Sequence, residues 1–169
     1  YEITYGDWSS DVCSSDLYFG GTSNLLQVTA GAVFTNVAVG GANGGVINGT
    51  WNTMQVDNGG KMFFEGNGFL FGQGSISNYI NIGGTGAASY FKTTGGNFQM
   101  GQGGGQQYGE GITITNATWD SASVGFAQGG TNNFIKVLTN GVWNLNNNGL
   151  SVAGSAVAFG NYIYIDSGI

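Results

Sequence analysis

"NLLQVTAGAVF", residues 24–34, is answered by "NTMQVDNGGKMFF", residues 52–64. Each opens on Asn, sets two apolar side chains around a polar one, then turns through small residues into a second apolar run. The opening returns as "NYINI" from Asn78, "NFIKV" from Asn133 and "NYIYI" from Asn161, with "EGITI" from Glu110 as a degenerate copy. The closing residues Val28, Val56, Ile82, Ile114, Val137 and Ile165 lie 28, 26, 32, 23 and 28 residues apart. A second motif keeps the same beat: "VAVGG" at 37–41, "FLFGQG" at 69–74, "FQMGQG" at 98–103, "VGFAQG" at 124–129 and "LSVAGS" at 150–155. Between them stands an aromatic series, Phe34, Phe63, Phe91, Trp119 and Trp143.

Alternation such as Leu26/Val28 apolar around Gln27 has period two, the mark of a half-buried strand. Glycine every few residues penalises helix. Of the 169 residues, 34 are Gly and 19 are Asn, the residues that turn the chain at positive φ most cheaply. One repeat cannot bury its own apolar face; stacked copies bury it against one another. The expected fold is therefore all-β, a right-handed parallel β-helix (β-solenoid) of five to six coils of about 27 residues. Val28, Val56, Ile82, Ile114, Val137 and Ile165 would form one core ladder. Asn24, Asn52, Asn78, Asn133 and Asn161 occupy one point of the repeat, where stacked amides can hydrogen-bond from coil to coil, or each can cap its own turn. Glu110 is expected to break that column, beside an insertion at 101–111.

Charged residues are 7% of the chain, with no His and three Lys or Arg against nine acids. So few cations argue against nucleic-acid binding, which rests on neutralising phosphates. No apolar run approaches the ~18 residues of a spanning helix. The acids Asp57, Glu65, Glu110, Asp120 and Asp166 are scattered over the repeats. Glu65 and Asp120 fall about two coils, or ~10 Å, apart, too far for a tight catalytic pair. They read as solvated surface charge. No metal or cofactor is expected, and no catalytic residue. "TIT" at 113–115 occurs once, where an ice-binding face needs it in every coil. The aromatic series is either a core ladder or, facing outward, a ligand stripe for sugars or a partner.

"GDWSSDVCSSDL", residues 6–17, matches nothing else in the chain and holds the one cysteine, Cys13. With no His to activate it, a thiol nucleophile is unsupported. Reverse translation of these residues resembles the index-side adapter of short-read sequencing libraries, and residues 1–5 fit the adapter's upstream part. Residues 1–17 are therefore expected to be non-native, leaving 18–169 as a solenoid fragment cut at both ends.

The segments "NLLQVTAG", "NTMQVDNGG" and "NFIKVLTNGVWNL" give the chain a further likeness. It resembles the secreted β-strand-repeat proteins of environmental bacteria, including autotransporter-like passenger repeats. That resemblance implies a structural or adhesive segment of a large exported protein, displayed at the cell surface without catalysis. Its partners would be surface glycans or other cells, and further coils of the same chain at both ends. The alternatives are part of a polysaccharide-active β-helix enzyme whose catalytic coils lie elsewhere and, more weakly, a glycan- or ice-binding face.

Overall fold

The computed structural model describes residues 2–3, 17–37, 44–102, 107–154 and 158–166. Residues 4–16, with Cys13 and most of the adapter-like stretch, lie outside them. The strands, numbered in chain order, form three parallel sheets. The first holds β1 (Glu2–Ile3), β3 (Leu25–Val28), β6 (Thr53–Val56), β9 (Tyr79–Gly83), β12 (Gly111–Thr115), β15 (Phe134–Val137) and β18 (Tyr162–Ile165). The second holds β4 (Val33–Val37), β7 (Lys61–Glu65), β10 (Ser89–Thr93), β13 (Ala117–Ser121) and β16 (Gly141–Asn144). The third holds β2 (Leu17–Phe19), β5 (Gly45–Ile47), β8 (Phe69–Phe71), β11 (Phe98–Met100), β14 (Val124–Phe126) and β17 (Leu150–Val152). Each coil contributes one strand to each sheet, so every strand pairs with its equivalent one coil away. The result is a three-sided β-solenoid of about five turns.

The register builds the expected ladder. Val28 pairs with Val56, Val56 with Ile82, Ile82 with Ile114, Ile114 with Val137, and Val137 with Ile165. The four middle members, Val56 to Val137, are nearly or fully buried. On the second sheet the inward column is Phe34, Met62, Phe91, Trp119 and Trp143. On the third, Phe69, Phe98 and Val124 stack in one inward column and Phe71, Met100 and Phe126 form another. The core is thus a bundle of ladders running along the axis, rich in aromatic rings in edge-to-face or stacked contact.

The Asn column forms, and it has a direction. The backbone N–H of Asn24 donates to Oδ1 of Asn52 at 3.0 Å, and that of Asn52 to Oδ1 of Asn78 at 2.8 Å. Asn78 N–H donates to Oε2 of Glu110 at 3.0 Å, Glu110 N–H to Oδ1 of Asn133 at 2.9 Å, and Asn133 N–H to Oδ1 of Asn161 at 2.8 Å. The side-chain amides of Asn24, Asn52, Asn78 and Asn161 turn outward to loop carbonyls of Gly20, Asn48, Gly49 and Gly130. Both readings hold in part: Oδ1 of Asn52, Asn78, Asn133 and Asn161 receives from the coil before, Nδ2 of Asn24 and Asn52 serves its own corner, and Nδ2 of Asn78 and Asn161 reaches a carbonyl one coil back.

Three expectations are corrected. Glu110 does not break the column; its carboxyl occupies the place of an amide. Phe63 is not in the inward series; Met62 takes that position and Phe63 faces out, in register with Thr35 and Lys92. The third strand of the first coil is Gly45–Ile47, paired with Phe69–Phe71, and not "VAVGG". Val37 closes β4, and residues 38–43 lie outside the described residues. Of the insertion at 101–111, residues 103–106 also lie outside; Tyr108 rejoins the stack, bridging Ile76 and Thr131. Asn58, Asn116, Asn132, Asn140, Asn146 and Asn147 take positive φ, so the Asn excess is a turn requirement as well as a ladder.

Candidate functional site

Four charged residues, Lys61, Glu65, Lys92 and Asp120, gather with Tyr90 on the outer face of the second sheet. Alternation turns Lys61, Phe63 and Glu65 of β7 outward, then Tyr90 and Lys92 of β10, Thr118 and Asp120 of β13, and Val142 and Asn144 of β16. Lys92 Nζ lies 3.4 Å from Oε1 of Glu65. With both side chains a third or more exposed, water screens this pair and its worth is small. Tyr90 Oη donates a hydrogen bond to Asp120 Oδ2, and Asn144 Nδ2 donates to Oδ1 of the same carboxylate at 3.0 Å. Burial first, then the Asp120 bond and the charges of Asp120 and Glu65, push the Tyr90 hydroxyl up to about 12. At neutral pH Tyr90 is a hydrogen-bond donor and not a base. Glu65 and Asp120 share this face two coils apart, with Lys92 in register beside Asp120 and bonded to Glu65.

The candidate ligand stripe is divided by the pleat. Phe91 and Trp119 are fully buried, Phe34 and Trp143 are half-buried against the core, and Phe63 alone of the five turns out. The five therefore form no outward stripe. The cause is parity: inward positions on one strand face are two residues apart, and the series mixes the two faces at Phe63. The inward indoles also have fixed partners. Trp119 Nε1 donates to Thr93 Oγ1 at 3.2 Å, and Trp143 Nε1 to Ser121 Oγ at 3.0 Å, each one coil back.

Outward aromatics do stack, on the first sheet and without having been foreseen. Phe134 lies over Tyr162 with centroids 5.7 Å apart and planes 18° apart, and Tyr79 lies 6.4 Å from Phe134. Gly111, between Tyr79 and Phe134 in register, leaves room for the Phe134 ring; a Cβ there would meet the ring at 2.2 Å. Lys136 Nζ sits 4.6 Å from the Phe134 centroid. Phe134 is covered by Tyr162 and Lys136, so this column staples neighbouring coils.

Glu110 is the one ionisable side chain with no solvent exposure among the described residues. Besides Asn78 N–H, it meets Ser75 Oγ at 3.0 Å and Asn78 Nδ2 at 3.5 Å. Neither a lysine nor a second carboxylate hydrogen-bonds it among the described residues. Burial raises its pKa from 4.5 to about 7, and the Ser75 and Asn78 hydrogen bonds only partly oppose this. Protonated, the group offers an O–H donor beside an oxygen acceptor, one donor fewer than an amide, and its Oε2 takes the Asn78 N–H as an amide oxygen does elsewhere in the column. A folded-state pKa above the unfolded value contributes stability that is full below about pH 4.5 and lost as pH rises through about 7. At roughly 1.4 kcal/mol per pH unit, on the order of 3 kcal/mol is lost between those limits. Thermal unfolding should therefore show a melting temperature that falls from pH 5 to pH 8. Glu110→Gln, an isosteric amide, should flatten that fall and be the more stable protein at pH 8. A variant as pH-sensitive as the parent would show that the fall arises elsewhere.

Among the described residues no three His, Cys, Asp or Glu side chains converge. Comparison with protein-family models, curated proteins and solved structures found no match.

Proposed function

We propose that the chain is a structural and adhesive solenoid segment of a large exported protein at a bacterial cell surface, without catalysis of its own. The observation that carries this reading is that three of its carboxyl groups are engaged in joining coils. Glu110 sits in the Asn column, Asp120 is held by Tyr90 and Asn144, and Glu65 by Lys92. A rod of this kind gains length by adding coils, each contacting only its neighbours. The coil ending at β18 leaves Leu150, Val152 and Ile165 of the core ladders 39%, 51% and 69% exposed, a surface suited to a further coil of the same repeat. The likeness of its repeats to secreted bacterial β-strand-repeat proteins supports the cell-surface placement.

The second reading is a piece of a polysaccharide-active β-helix enzyme. It is favoured by the gathering of Glu65, Tyr90, Lys92 and Asp120 on one outer face. One experiment separates the two. The chain is displayed on a bacterial host by a fused anchor and challenged with polysaccharide-coated surfaces, while soluble polysaccharides are assayed for new reducing ends and unsaturated sugars. The structural and adhesive reading expects attachment above anchor-only cells and no cleavage. Cleavage that Asp120→Asn abolishes would transfer the function to the enzymatic reading.

A further inference from the structure

We propose that a trough on the outer face of the third sheet binds a neutral, hydroxyl-rich polysaccharide laid along the solenoid axis. The proposal rests on the adhesive reading above and names the class of ligand. Two cavities, of about 280 and 320 Å³, adjoin there and share Asn97 and Ser123. Their origin is a missing side chain. The outward column of this sheet reads Leu70, Gln99, Gly125, Ser151, so Gly125 leaves a dip between two polar neighbours. Gln128 folds back over that dip, its Nε2 3.1 Å from where a Gly125 Cβ would stand. The second cavity continues the dip around the corner to Asn148.

The lining chemistry selects the ligand. No charged side chain lines either cavity, although four stand on the adjacent sheet. An ion taken from water would find no counter-charge here, so a neutral ligand is favoured. Among the described residues the side-chain amides of Asn97, Gln99 and Gln128 make no hydrogen bond within the protein. An amide offers both donors and an acceptor, which matches a hydroxyl, itself donor and acceptor. Polar groups recur coil by coil at ~4.8 Å, close to the advance of one ring in an extended polysaccharide. A peptide strand fits less well. Strand addition needs an open sheet edge, whereas β11 and β14 are paired on both sides.

The test uses Gly125→Leu, which fills the dip. Gly125 has no positive φ, and the nearest atoms to its Cβ are the flexible end of Gln128, so the variant should fold and keep its melting temperature. A second variant, Gln99→Ala with Gln128→Ala, removes the amides without filling the space. Affinity electrophoresis through dextran, mannan and β-glucan gels should retard the parent. Gels of alginate and polygalacturonate should not. Each variant should weaken binding at least tenfold. Retardation by the acidic polymers alone, by none of the neutral ones, or equally for parent and variants overturns the trough. If neutral polymers still bind both variants but fail to bind Lys92→Ala, the adhesive reading stands on the second sheet and only the trough is lost. If no polymer and no coated surface holds the chain, both readings fail.

Discussion

Trp119→Ala should lower the stability of the chain by about 3–5 kcal/mol, the range for deleting a buried indole. Trp119 is fully buried in a central coil and joins two ladders, its own and that of Phe98 on the third sheet. It stacks on Trp143 with planes 5° apart, meets Phe98 edge-on at 4.9 Å, and lies over Phe91. Truncation opens a cavity where neighbouring coils are locked in register and cannot collapse into it. It also strips Thr93 Oγ1 of its donor. At roughly 2–4 °C per kcal/mol for a chain of this size, the melting temperature should fall by about 10 °C. Trp119→Phe, which keeps a ring but not the N–H, should lose less than half as much. Urea unfolding followed by tryptophan-independent circular dichroism measures both. Equal losses from the two variants would mean that the hydrogen bond, and not the ring volume, holds the site.

Gly83→Ala should be comparably damaging, although it adds one methyl group. Gly83 ends β9 at φ +89°, where a Cβ is strained, and that Cβ would stand 1.7 Å from the carbonyl oxygen of Thr115. The obstacle is backbone of the next coil, so no side-chain rotation relieves it. Strain and displacement of the β9–β12 junction together should cost about 3–5 kcal/mol. Gly31→Ala is the control. It too has positive φ, at +78°, but nothing stands within 4 Å of its Cβ, so only the conformational penalty of about 1 kcal/mol remains. Similar losses at the two sites would show that φ alone, and not the approach of the coils, sets the cost.

The fold was legible because its main ladders repeat whole motifs. Asn followed by apolar, polar and apolar residues marks both the corner and the strand, and the register then pairs Val28 with Val56 and onward to Ile165. Legibility failed where several residues compete for one position. In "KMFF", residues 61–64, aromatic identity favours Phe63, but pleat parity buries Met62 and Phe64. Glu110 was misjudged because a carboxyl letter reads as charge, while burial makes it a hydrogen-bonding neighbour of amides. The outward ring column was hidden because Gly111, the gap that lets Phe134 lean over, looks like an ordinary turn glycine. The trough was least visible of all. It depends on Gly125, Gln99 and Ser151 falling in one outward column, and no short motif announces that.

The direction of the Asn column bears on how such a chain is made. In each described link the backbone N–H of the column residue finds its acceptor on a side chain of the coil that follows, while the N–H of the next residue donates back to the carbonyl of the coil before, as Thr53 does to Asn24 and Tyr79 to Asn52. A nascent chain emerging N-terminus first thus always carries one coil whose corner awaits the next to arrive. Growth is a ratchet: each new turn closes its predecessor and leaves its own seat open. Side-chain bonds running forward and backbone bonds running back meet at every corner, so each corner is complete only when the following turn has arrived.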